Sequence, residues 1–543
     1  MAEHDEKSGA EQKRSWVPNK VKHGTVKSKK DFDRQKVSDL VRGQKSVYKG
    51  ELDPRKKREE QAKKRQRAVA PFASENRYDR TDEMSDFRNL FEPCEASPAR
   101  LGALYVTHEV RMRNAYAQEL IETTIDVSHM SAADRAFATL LTLGVVSTWG
   151  TLDDIINRAI QSPRDIKNDV RDALRISTYE IVMLGKAPHA AVDQGVELVK
   201  AIAPSASRLA NAVLHRILAM KDDFPFGDPK KEIDALARSY AFPEWMARML
   251  IEDLGAETAC DLMLASSDPA PVFISVNSLK ATDDEVLEVL EQAGAQPSAL
   301  DDPSNKIDGC YRIGNPRALA DGRVRVMFSK GMLLVSDASA QAIAASLFEL
   351  GDPGKTLEVG AGRGTKTILI QSTANRVLGH QIDLTSLDSH SFKADLLSKR
   401  VKDYGVKLSG ILTGNATRLY SVVDDRKFNT IFIDAPCSGL GTLRRHQEIR
   451  WRITQEHIDE LAEIQLGMLK SCAPHVEEGG QLVYSTCTVT YCEDYGVVKK
   501  FLESDEGKDF VLAPINGASC VATKLTKDSP DAHFAVRFVR KKA

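Results

Sequence analysis

Leu357-Glu358-Val359-Gly360-Ala361-Gly362-Arg363-Gly364-Thr365-Lys366-Thr367 reads as a short strand that breaks into a glycine-rich turn and continues as an apolar helix from Ile368. Glycines after a strand allow a tight turn and let the backbone come close to a ligand. Taken alone, such a turn serves a dinucleotide as well as any other nucleotide-like ligand. Its surroundings settle the fold class. From about residue 331 strand-like runs alternate with helical periodicity, the signature of a doubly wound, Rossmann-like parallel α/β sheet. Val377-Leu378-Gly379-His380-Gln381-Ile382 is read as the second strand, ending at Asp383, and Gly410-Ile411-Leu412-Thr413 as the third, leading to Asn415. Thr430-Ile431-Phe432-Ile433 and Gln481-Leu482-Val483-Tyr484 follow as buried strands. Each runs into a cysteine motif, Asp434-Ala435-Pro436-Cys437-Ser438-Gly439 and Ser485-Thr486-Cys487-Thr488. A thiol just past the carboxyl end of a parallel strand faces the ligand crevice of such a sheet. Cysteine is also the best side-chain nucleophile near neutral pH.

Toward the N-terminus the pattern changes twice. Residues 232–330 read as a small α/β subdomain, with helices near Pro243-Glu244-Trp245 and Glu257 to Leu264, a strand at Val272 to Asn277 and a helix from Ala281 to Ala293. Trp245 is read as a core residue. Pro225, Gly227, Asp228 and Pro229 mark a linker ahead of it. Residues 100–222 are all-α by periodicity. One helix opens at Asp134 after a cap at Ser131, another begins at Leu152, and a third carries Val170, Leu174, Tyr179 and Ile181. Residues 1–70 hold 21 Lys and Arg against 11 Asp and Glu in a chain whose net charge is −2. That segment has too few apolar residues to offset ordering entropy, so residues 1–95 are expected to be a basic, largely disordered tail, either solubilising or touching RNA phosphates.

Bulk composition excludes several classes. With 42% hydrophobic and 28% charged residues this is an ordinary globular chain, and 543 residues need several cores. Eight cysteines without Cys-x-x-Cys spacing suggest neither a disulfide framework nor a zinc site, so no metal is expected and a reducing compartment is favoured. No apolar run is long enough for a membrane span, and the charged N-terminus lacks a secretory h-region. A cytoplasmic protein, monomeric by preference, is the expectation.

Asp434 to His446, with Ile449-Arg450-Trp451 and the later Gly479 to Thr488, resembles the motif pair of RNA cytosine-5 methyltransferases. Asp134-Arg135, Leu174 to Glu180, Pro188, Glu197 to Lys200 and Asn211 to Leu214 resemble the NusB family of RNA-binding helical domains. This domain order is similar to that of the bacterial small-subunit ribosomal RNA enzymes, whereas the catalytic motifs alone fit transfer-RNA members equally well. A non-catalytic RNA-binding protein is the competing class. The resemblance implies Cys487 as nucleophile, Asp434 at the ring nitrogen 3 of cytosine, and Cys437 as the group that assists proton removal or release of Cys487. Because Asp434 has to hold or share a proton for that, a dry pocket is expected around it. The implied cofactor is S-adenosylmethionine, held by Gly360, Ala361, Gly362, Arg363, Gly364, Thr365 and Lys366, by Asp383 at the ribose, by Asn415 through its amide oxygen at the adenine, and by Asp434. Departures are Gly360, Gly362, Arg363 and Thr365 in the glycine turn, Ser275 for an Arg, and Tyr491-Cys492-Glu493-Asp494 for Pro-Glu-Glu-Asn. Arg111, Arg113, Arg444, Arg445 and His446 are candidate phosphate contacts. Asn211 is read as paired inside the bundle.

Overall fold

The computed structural model describes residues 91–125, 130–300 and 307–542. The basic tail expected over residues 1–95 therefore lies almost wholly outside the described residues.

The first unit is a helical bundle. α1 (Pro98–Arg113), α2 (Ala117–Thr124), α3 (Ala132–Arg158), α4 (Asn168–Thr178), α5 (Pro188–Ile202) and α6 (Ser207–Met220) enclose one apolar core. Ser131 caps α3, accepting a hydrogen bond from the Asp134 backbone. The helix expected to begin at Leu152 is the second half of α3, which runs unbroken for 27 residues. No proline interrupts it, and its two internal glycines are contact sites rather than breaks: a Cβ at Gly144 would meet the Tyr179 ring, and one at Gly150 the Trp451 ring at 2.3 Å. α4 continues through a single π turn, Tyr179–Met183. Buried Arg175 is paired to Asp153 and Asp172, and Arg111 to Asp169 and Asp172. Arg113 is engaged with Glu109 on its own helix. The two arginines read as phosphate contacts are thus carboxylate partners within the bundle. Asn211, expected to be paired inside, is instead exposed.

Three helices, α7 (Ile233–Tyr240), α8 (Glu244–Leu254) and α9 (Ala256–Ala265), lead into an antiparallel sheet in the order β2-β3-β1-β4. Its strands are β1 (Val272–Val276), β2 (Pro297–Ala299), β3 (Cys310–Ile313) and β4 (Leu333–Val335), with α10 (Asp283–Gln292) and α11 (Gly322–Ser329) packed on it. Asn277, just past β1, is buried and donates to the carbonyls of Gly331 (2.8 Å) and Tyr404 (2.9 Å), fastening this sheet to the catalytic unit.

The last unit begins with α12 (Ala338–Ser346). Its sheet contains β5 (Thr356–Val359), β6 (Leu384–Asp388), β7 (Gly410–Thr413), β8 (Phe428–Asp434), β9 (Val476–Thr486), β10 (Phe510–Ala513) and β12 (Phe534–Arg540), in the order β10-β12-β9-β8-β5-β6-β7, with β11 (Val521–Ala522) paired to β12. The five strands from β9 to β7 are parallel; β12 and β10 add antiparallel edges. All four residues of β5 are buried, as in a sheet covered by helices on both faces. α13 (Thr365–Leu378) and α14 (Ser391–Asp403) form the crossovers next to β5 and β6, and α15 (Gln455–Cys472) precedes β9. The chain order reverses between β5 and β8, and ligands of open α/β sheets bind at the carboxyl ends of the strands at such a switch point.

The second strand departs from the sequence reading. Val377 and Leu378 close α13, Gly379 caps it at φ +78°, and the strand is Leu384–Asp388. An apolar pair ahead of a glycine belongs to the last turn of a helix. The true strand carries Thr385 and Ser386 and so lacks the apolar run that marks β8.

Candidate active site

The carboxyl ends of β5, β6, β7, β8 and β9 surround a cavity of about 800 Å³. Gly360 and Gly362, which line it, both have positive φ. A Cβ at Gly360 would lie 2.2 Å from the Asp434 carbonyl, so the two central strands approach more closely here than any other residue permits. Thr365 and Lys366, at the start of α13, also line the cavity, whereas Ala361, Arg363 and Gly364 support the turn without forming its wall. Arg363, exposed, pairs with Glu119 of α2 at 3.2 Å. The substitution that most altered the expected turn therefore leaves the cavity open.

Asp383 lies at the opposite end of the sheet. It precedes β6, and its carbonyl accepts from Thr356 at the entrance of β5. The acid of this strand that lines the cavity is Asp388, the last residue of β6, which accepts from the backbone N–H of Gly362 (2.9 Å) and of His390 (3.0 Å). Asn415 lines the cavity as expected, but its Oδ1 already accepts from the Thr417 backbone and hydroxyl, both at 2.9 Å. The oxygen assigned to adenine is thus occupied by a local cap.

Asp434 ends β8 and sits 2.7 Å from the Lys366 ammonium. Burial alone would lower the Lys366 pKa, but Asp434 more than offsets it and holds the ammonium above the usual lysine range. Cys437 and Cys487, from the turns after β8 and β9, bring their sulfurs to 3.2 Å. Cys437 holds its proton well above the ordinary thiol range because of the hydrogen bond with Cys487 and its burial. Both thiols line the same cavity as Asp434.

Glu493 joins the two cysteine turns. This fully buried carboxylate accepts from the Ser438 backbone (2.8 Å), the Ser438 hydroxyl (2.5 Å), Thr490 (2.8 Å) and Gln465 (3.1 Å). Asp494 accepts from Thr486 at 2.7 Å, and burial drives its carboxyl well above the usual range. Gly441 is also required here, since a Cβ would meet the Ala532 carbonyl at 2.0 Å and that of Cys487 at 2.8 Å. Of the candidate phosphate contacts, Arg444 is buried against Asp531 and the carbonyls of Thr526 and Ser529. Arg445 binds Asp337 and Asp531 while still facing the cavity. His446 lines the cavity, and burial lowers its pKa.

Beneath the glycine turn Glu358 is completely enclosed, accepting from Thr367 (2.6 Å) and Ser386 (2.8 Å). Burial pushes its carboxyl from 4.5 up to about 7. Between those values the folded chain keeps a proton that the unfolded chain has lost, so this group makes stability fall as pH rises through that window. Glu358→Gln is expected to remove the slope, shifting the stability difference between the two proteins in the variant's favour by up to about 3 kcal/mol from low to high pH. Urea titrations at several pH values would reveal it; parallel pH profiles would show that Glu358 does not titrate there.

Comparison with known proteins agrees with this geometry. Residues 345–538 match the family model described as 16S rRNA methyltransferase RsmB/F. The last unit of the chain is thus similar to the RsmB/F methyltransferases. Residues 97–219 match the NusB family, and residues 242–304 the ferredoxin-like domain of RsmF/B-like methyltransferases. A probable ribosomal RNA small subunit methyltransferase B of Synechocystis is 29% identical over 419 residues, 75% of this chain and 90% of the relative. The ribosomal RNA small subunit methyltransferase B of an Escherichia coli strain is 27% identical over 376 residues, 69% of this chain and 83% of its own. The solved structure of PH0851 shares the fold, with a TM-score of 0.64 and 20% identity over 82% of this chain and all of that one. The cofactor is S-adenosylmethionine. The residues present suit it: a glycine turn that admits close approach, a carboxylate at the end of the neighbouring strand, and a cavity at the sheet's switch point. Among the described residues no helix is long and apolar enough to cross a membrane.

Proposed function

We propose that this protein methylates carbon 5 of a cytosine in 16S ribosomal RNA through a covalent Cys487–RNA intermediate. The observation that carries the reading is the meeting of two thiols at 3.2 Å on the wall of the cofactor cavity that Asp434 also lines. S-adenosylmethionine supplies the methyl group. Carbon 5 of cytosine is too weak a nucleophile to take it unaided. Addition of the Cys487 sulfur to carbon 6 forms an S–C bond and converts the ring to an enamine with carbanion character at carbon 5. Charge that develops toward nitrogen 3 is met by a proton that the Lys366 ammonium shares with Asp434 beside it, a fixed pair that needs no reorganisation. After methylation, transfer of the carbon 5 proton to solvent water leaves its electron pair to form the ring double bond as the S–C bond breaks, and the aromatic ring is restored. Cys437, still protonated, has its S–H available to the departing Cys487 sulfur.

The target has to leave its stack to reach this depth, so an unpaired or flipped cytosine is expected. The names of the relatives support small-subunit ribosomal RNA over transfer RNA. Incubating unmodified 16S transcript, and transfer RNA in parallel, with protein and S-adenosylmethionine, then mapping by bisulfite sequencing, tests the assignment. One protected cytosine in the 16S transcript is the expected result; protection only in transfer RNA would move the substrate, and no protection in either would refute cytosine-5 chemistry.

A further inference from the structure

The turn between α1 and α2 belongs to the helical bundle, yet it is gripped from both sides by the catalytic unit. The Glu448 carboxylate accepts from the Ala117 backbone at 2.8 Å. Arg452 donates to the carbonyls of Asn114 (3.1 Å) and Ala115 (2.8 Å). On the far side Arg363 of the cofactor turn pairs with Glu119. Next to them the Trp451 ring rests on Gly150 of α3 and its indole N–H donates to the Ser147 carbonyl at 3.1 Å. These contacts fix Tyr116, whose ring centroid lies 4.4 Å from that of His446 at an angle of 43°. His446 is a wall of the cavity and its Nδ1 is buried with no hydrogen-bond partner. Tyr116 is not a wall, and 39% of it is open to solvent.

We infer that Tyr116 and His446 form a stacking platform at the mouth of the cavity for the nucleotide next to the methylated cytosine. The inference rests on the cytosine reading above and extends it to a second base. The methylated base occupies the depth at Cys487 and Asp434, so its neighbour is left at the rim where these rings lie. An aromatic face stacks on any base, which suits a site that holds a splayed strand without reading its sequence. A bundle residue thereby becomes part of the substrate site.

The test uses the full chain and a single-stranded RNA carrying one cytosine with 2-aminopurine on either side. Stacking quenches 2-aminopurine, so binding of the unaltered protein should dim it. Tyr116→Leu preserves an apolar contact with His446 but offers no flat face, and should lose most of the quenching and about tenfold in RNA affinity. Tyr116→Phe should behave as the unaltered protein. Melting temperature and S-adenosylmethionine affinity should be the same in all three. Full quenching with Tyr116→Leu, or its loss with Tyr116→Phe, would overturn the platform. Should the unaltered protein quench the probe yet methylate no cytosine in 16S RNA, the platform would stand and the cytosine-5 reading would fall.

Discussion

Cys487→Ala should reduce methyl transfer to below detection while S-adenosylmethionine still binds, because the thiol acts on the base and not on the cofactor. Loss of a covalent nucleophile removes a whole reaction path, and such losses typically reach roughly a millionfold. The partner substitution should behave differently. Cys437→Ala leaves the nucleophile in place but deprives it of the thiol 3.2 Å away. Addition then outruns release, and a protein–RNA adduct that survives denaturing electrophoresis should accumulate. Removing Cys437 also removes the acceptor of the Cys487 backbone N–H at 3.3 Å, so some loss of addition rate should accompany the trapping. An adduct with Cys487→Ala and none with Cys437→Ala would exchange the two roles.

The second large effect concerns the acid at the cofactor turn. Asp388→Ala removes the acceptor of the Gly362 and His390 backbone N–H groups and the carboxylate proposed to receive the ribose hydroxyls. A hydrogen bond to a charged group contributes roughly 1.5–3 kcal/mol, so S-adenosylmethionine affinity should fall at least about tenfold. Asp383→Ala should leave it unchanged, since that side chain lies at the far end of β6. Calorimetric titration of the two variants decides between them. A weakened Asp383→Ala beside a normal Asp388→Ala would contradict the placement of the ribose.

The exchange of these two aspartates shows where the sequence could be read and where it could not. Strands β8 and β9 declare themselves by their apolar runs, Ile431 to Ile433 and Leu482 to Tyr484, with the two cysteine turns directly after them, and β5 by the glycine turn that follows it. β6 hides because Thr385 and Ser386 are buried in it, and Ser386 is there to hydrogen-bond Glu358. A buried polar pair across two strands leaves no periodic trace. Arg111 and Arg444 resemble RNA contacts in one dimension, but their partners, Asp172 and Asp531, lie 61 and 87 residues away in sequence. The role of Glu493 was equally invisible, since the residues it joins, Ser438, Gln465 and Thr490, belong to three separate segments. Tyr116 had no signal at all: its place at the cavity follows from the docking of two units through Glu448, Trp451 and Arg452.

The covalent Cys487–cytosine bond is the centre of this account, and 5-fluorocytidine tests it most directly. Fluorine on carbon 5 does not prevent addition of the sulfur to carbon 6 or methylation, but it leaves no proton to remove, so the S–C bond cannot be released. The unaltered protein, given 16S RNA transcribed with 5-fluorocytidine and S-adenosylmethionine, should form a stable complex. After nuclease digestion and proteolysis, mass spectrometry should find one methylated fluorocytidine nucleotide on the peptide containing Cys487. Turnover of the fluorinated RNA without any adduct, or an adduct carried by Cys437 instead, would contradict the account.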